Sequence, residues 1–280
     1  MGNYYGKGTI NLDNAPSVLS YASAVGPKEG KGPLADYFDY IGEEAALGED
    51  GSWEKAEVVL QKNAFRTALE KGRLAETDIS FIFAGDLLNQ CTCSSYGGRD
   101  FDIPFIGLFG ACSTMAESLA LASVFVEAGV AQNAAAMTSS HFCSAERQFR
   151  FPLNYGGQRT PTAQWTATAA GCVVVAPRKN PPYIKAVTFG KVTDMGVKDV
   201  NNIRYTHICH KHTSVRASLR LLLFRQKRPV ILQIMVVYIN PPHKQGQQVS
   251  FLVLVRQVPQ IARVFKNRTE LVNVFIRQYI

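Results

Sequence analysis

Residues 105–121 read FIGLFGACSTMAESLAL. The fold turns on this stretch: a short apolar strand, a tight Gly-Ala-Cys-Ser turn and the opening of a small-residue helix that Gly129 stops. Working outward, the same alternation recurs. ISFIFAG (79–85) is short, apolar and closed by glycine, as a strand buried on both faces would be. IPFIGLFG (103–110) is a second strand, Thr114 to Ala128 a helix, and NAAAMTSS (133–140) a third strand. TATAAGCVVVAP (166–177) and YIKAVTFGKV (183–192) read as strands paired with each other. Upstream, Ser52 is placed to cap a helix through WEKAEVVLQKNAFRTALEK, with Gly72 just past its end. Ala56, Val59, Leu60, Ala64, Ala68 and Leu69 give that helix an apolar face. Strands alternating with helices predict an α/β fold with a largely parallel sheet covered on both faces.

A sheet of that kind opens its ligand crevice at the carboxyl ends of the strands. The polar stretches expected there contain Asp86, then Cys112, Ser113 and Thr114, then His141. A cysteine between a strand and a helix faces the positive end of the helix, which favours its thiolate. It also suits a crowded turn as a small apolar residue. Asp86 reads equally as a helix cap or a site carboxylate, and His141 as a loop hydrogen-bonder or a site group.

Composition divides the chain. Among its 280 residues, 46% are hydrophobic and 19% charged, which fits a globular protein. Residues 1–200 hold 17 Lys and Arg against 21 Asp and Glu, whereas residues 201–280 hold 13 basic residues and one acid, Glu270. Gly246 is the one glycine after residue 200. The N-terminus has no apolar leader-like run, and the six cysteines follow no compact disulfide or zinc spacing, so a reducing intracellular compartment and no metal or cofactor are expected.

The stretches FAGDLLNQ, IPFIGLFGACSTMAESLALAS, TSSHFCSAERQFRFPLNYGGQRTPTAQWT and AVGPKEGKGPLADYFD together resemble the stage V sporulation protein AD family of endospore-forming bacteria, over about residues 20–200. That resemblance implies a thiolase-like fold of two similar α/β halves, with residues 1–200 as the first half. It also implies a non-catalytic role: binding dipicolinic acid, with or without calcium, for uptake into the forespore. The partners it implies are the other subunits of the stage V sporulation A membrane complex, with a homodimer in the intact family. The location it implies is cytoplasmic, at the forespore inner membrane. Cys112 then stands at the ancestral acyl-accepting position, and the rival expectation is an acyl-transferring condensing enzyme with Cys112 as nucleophile. A site for a planar dianion calls for a helix N-terminus and guanidinium groups. Cys112 to Thr114 offer the first, and Arg147, Arg150 and Arg159 as a group the second. Singly, each arginine reads as a surface residue or as a partner of Glu146.

Residues 201–280 do not continue the second half. Their basic residues are scattered without a nucleic-acid fold signature, so no nucleic-acid partner is expected. VILQIMVVYI (230–239) falls short of the roughly 20 apolar residues that a membrane helix needs. The run His207-x-x-His210-x-His212 with Cys209 lacks spaced partners for a metal. A frame slip near codon 202 accounts for this composition and predicts an anomalous basic tail. A lone first half is then expected to leave a face of its sheet or helices without a partner.

Overall fold

The structure is a computed structural model describing residues 3–5, 8–44, 51–149, 166–189, 217–225 and 228–236. In chain order it contains β1 (Asn3–Tyr5), β2 (Thr9–Asn11), β3 (Ser17–Val25), β4 (Tyr40–Ile41), α1 (Trp53–Gly72) and β5 (Phe81–Gly85). Then come α2 (Thr92–Gly98), β6 (Phe105–Gly107), α3 (Thr114–Glu127), β7 (Ala134–Ser140) and α4 (Phe142–Phe149). β8 (Ala169–Ala176), β9 (Ala186–Thr188), β10 (Ala217–Arg225) and β11 (Arg228–Val236) complete the described elements.

The main sheet has six strands in the order β4-β3-β8-β7-β5-β6. It is mixed and not largely parallel. β5 runs parallel to β6 and β7, but β8 lies antiparallel between β7 and β3. The expected pairing of β8 with the strand after it is also replaced. β8 takes the centre of the main sheet, while β9 joins β1 and β2 in a three-stranded sheet. β3, which no continuous apolar run announces, is an alternating strand, with buried and half-buried residues succeeding one another along SVLSYASAV.

Period-two alternation builds two cores. Phe83, Ala134, Ala136, Val173 and Val175 face α3 and pack with Met115, Leu119 and Ala122. Their neighbours Ile82, Ala84, Ala135, Met137, Cys172 and Val174 face α1 and pack with Leu60, Ala64, Phe65 and Ala68. Among the described residues, both faces of the sheet are therefore covered by elements of residues 10–187.

Capping fixes where α1 lies. The Ser52 hydroxyl accepts the Lys55 N–H at 3.2 Å, and the helix closes one residue later than expected, with Arg73 taking the left-handed cap at φ 54°. Val59, expected on the buried face, is exposed; Glu57 and Gln61 are buried instead. α3 stops as expected, with Gly129 at φ 73° directly after the cap residue. β10 and β11 form an antiparallel hairpin that pairs with no strand of the six-stranded sheet. No helix among the described residues is long and apolar enough to cross a membrane.

Candidate functional site

β5, β6 and β7 are parallel, so their carboxyl ends share one edge of the sheet. That edge brings together Asp86, the turn before α3, and His141. Gly85 sits at the join. A Cβ there would lie 1.9 Å from Leu108 O and 2.7 Å from Thr114 Cγ2, so the turn can approach β5 only over a glycine. Within the turn, Ala111 adopts φ 47°, and Ala111–Ser113 form a single 3-10 turn leading into α3. The backbone of Cys112 lies in that turn; its side chain is outside the described residues. Ser113 and Thr114 are buried. The Ser113 hydroxyl lies 2.8 Å from Gly110 O and 3.0 Å from Glu117 Oε1, sharing its proton between them. The Thr114 hydroxyl accepts the Gly110 N–H at 3.3 Å. α3 consequently begins without a side-chain cap.

Asp86 is buried, and its geometry is that of a cap. One carboxylate oxygen accepts the Ser94 N–H in the first turn of α2 at 2.7 Å, and the other the Leu88 N–H at 2.9 Å. Burial raises its pKa against the lowering effect of these donors. Beside it lies Glu57, which the sequence presents as a charge near the start of α1. Glu57 Oε1 accepts the Ser139 hydroxyl at 2.8 Å and Oε2 the Ser144 hydroxyl at 3.4 Å. Burial and the neighbouring Asp86 push its carboxyl up to about 8. A signal for its burial exists in the sequence, because Glu57 and Gln61 repeat at the four-residue spacing of the buried Ala64 and Ala68.

Cys93 completes this cluster, its ligating atom lying with those of Glu57 and Asp86 within 4.8 Å of one another. The set does not fit a metal ion. All four carboxylate oxygens already accept protein donors, and burial followed by the adjoining acids drives the Cys93 thiol far up, against thiolate ligation. Burial likewise raises Cys91 and Cys172, so these thiols are poor nucleophiles. Four cysteines among the described residues (91, 93, 143 and 172) form no disulfide.

His141, the one histidine among the described residues, is buried and accepts the Cys143 N–H on Nδ1 at 3.1 Å. Arg147 is engaged elsewhere, in an ion pair with Glu54 and over the Trp53 ring at 5.4 Å from its centre. It thus docks α4 on the first turn of α1. Arg150 and Arg159 lie outside the described residues.

Comparison with known proteins adds identity to this geometry. The sequence profile described as Stage V sporulation protein AD matches residues 6–217. Stage V sporulation protein AD of Bacillus subtilis (strain 168) is 44% identical over 194 residues, which is 69% of this chain and 57% of that relative. The chain therefore spans little more than half the length of that relative. Among solved structures, 3-oxoacyl-[acyl-carrier-protein] synthase III from Aquifex aeolicus VF5 aligns with a TM-score of 0.42 and 16% identity, over 60% of this chain and 56% of that one. A variant of Xanthomonas campestris OleA aligns with a TM-score of 0.47 and 14% identity, over 69% of this chain and 68% of that one.

Proposed function

The chain belongs to the stage V sporulation protein AD family, and on that premise we propose that it is a non-catalytic sporulation protein that binds dipicolinate for uptake into the forespore. The observation that carries the reading is the turn before α3. Ala111 is held at φ 47°, a left-handed conformation that costs a non-glycine residue about 1–3 kcal/mol. The hydroxyl of Ser113 is engaged by Gly110 and Glu117, so the first amides of α3 have no side-chain cap. Uncapped amides at a helix N-terminus attract a carboxylate. Glu117, in the same first turn, opposes a second anion, so in this reading the ligand arrives with calcium as its counter-charge.

In this reading the protein works beside the stage V sporulation A membrane subunits, peripheral to the forespore membrane on its cytoplasmic side. The thiolase-like first half supplies the site, and residues 201–280 are the product of a frame slip. The nucleotide sequence after codon 200, read in all frames, tests that origin: a second family half in another frame is expected, and its absence removes the proposal.

Titration calorimetry of the full chain with dipicolinate, with and without calcium, tests the binding. Saturable binding that Cys112→Phe abolishes is expected. Binding indifferent to that substitution moves the site elsewhere, and no binding ends the proposal. Transfer of an acyl group from acyl-CoA to Cys112, read by intact mass, would establish the condensing-enzyme alternative instead.

A further inference from the structure

α4 leaves the carboxyl edge of the sheet directly after β7, and contacts along its length hold it there. At its start, the Phe142 N–H donates to Thr168 Oγ1 at 3.0 Å, and the Thr168 N–H donates to the buried Glu29 carboxylate at 3.1 Å. In its last turn, Arg147 pairs with Glu54 and covers the Trp53 ring. That pair is largely exposed, so its hold is weak and falls with salt. Between the two ends, the buried Ser144 hydroxyl lies 3.2 Å from His141 O and 3.4 Å from Glu57 Oε2.

The middle contact depends on a proton. Ser144 has one hydroxyl hydrogen for two acceptors. With a proton on Glu57 Oε2, Glu57 donates to Ser144 and Ser144 to the His141 carbonyl, so each group is satisfied. Without it, carbonyl and carboxylate compete for one hydrogen, and a charge is buried beside Asp86. The titratable and charged groups on the elements packed around Glu57 are Asp86, Cys93, Glu54, His141 and Arg147, and they do not neutralise it. Asp86 and Glu54 are acids, and burial drives the Cys93 thiol far up. His141 accepts on Nδ1 as a neutral ring, and Arg147 is taken by Glu54. No ion pair among the described residues includes Glu57. Relief comes from water. Ser139 sits in a central strand and α2 is pinned by Asp86, so α4 is the element that yields.

We propose that Glu57 is the latch of a pH-operated switch: protonated, it holds α4 on α1 and the end of β7, and ionised, it lets the helix pivot about Phe142. The bistable element is α4, fixed at its start by Thr168 and weakly held at Arg147. The inference stands apart from dipicolinate binding.

Trp53 reports the position of α4, and Trp165→Phe leaves it as the one tryptophan of the full chain. Its emission is recorded at constant ionic strength from about pH 6 to about pH 9, below the range in which tyrosine ionises. One step with a midpoint of about 8 is expected as Arg147 leaves the ring, while far-UV circular dichroism keeps nearly all its intensity. Glu57→Gln keeps the shape without the titration and is expected to lose the step. Ser144→Ala keeps the titration but cuts the link to α4, and is expected to lose it too. A flat emission in the parent chain, an unchanged step in either variant, or a step that follows loss of the far-UV signal overturns the proposal.

Discussion

Glu57 shows how one buried carboxyl sets the response of the protein to pH. Its pKa is raised from 4.5 to about 8, so between those values the folded state holds a proton that the unfolded state has lost. Folding stability therefore falls as pH rises through that window, by about 1.4 kcal/mol for each pH unit crossed. Glu29 and Asp86, also raised by burial, act with the same sign. Glu57→Gln removes the titration and keeps an acceptor for Ser139, so the drop in urea midpoint across the window is expected to shrink in the variant; a wild-type stability that rises with pH would contradict this account. The sequence singles out Asp86 but not Glu57. A carboxyl on an apolar helical face betrays its burial only when the whole face is laid out, and the expected buried position at Val59 obscures it. Asp86 is legible as a cap because a carboxylate after a strand-ending Ala-Gly readily meets the next helix.

Among the elements, close approach decides what each position tolerates. Gly85 ends β5 with no room for a side chain, whereas a Cβ at Gly171 in β8 meets nothing within 4 Å among the described residues. Gly85→Ala is expected to lose about 3 kcal/mol or more, because Leu108 and the turn before α3 must both move. Gly171→Ala is expected to change stability by about 1 kcal/mol or less, in the stabilising direction, since alanine loses less backbone freedom in a strand. Thermal denaturation of the two variants checks the contrast, and equal effects would refute it. Helices and buried strands are legible here because caps and apolar runs are local signals, as at Ser52 and Gly129. Strand partners are not. β8 reads as an apolar run whichever neighbour it has, and its place between β3 and β7 follows from alternating faces that pack on α1 and α3 at once. β3 is hidden because its small polar residues (Ser17, Ser20, Ser23) interrupt the apolar run while its buried positions still alternate.

At the scale of the whole molecule, the question is what residues 201–280 contribute to stability. Both described cores draw on residues between Ile10 and Val187, α1 and α3 cover the two faces of the six-stranded sheet, and the family match ends at residue 217. The hairpin of β10 and β11 pairs with no strand of that sheet. A basic segment with one acid adds self-repulsion and attracts polyanions nonspecifically. A chain shortened after residue 217 is therefore expected to melt in one cooperative step, with a midpoint within a few degrees of the full chain, since only about 1 kcal/mol need change for a shift of that size. It is also expected to stay soluble at low salt in the presence of nucleic acid, where the full chain precipitates. Calorimetry and turbidity of the two chains check both expectations. If shortening instead abolishes the transition, residues 218–280 are a packed part of the fold, and the frame-slip proposal for their origin fails with it.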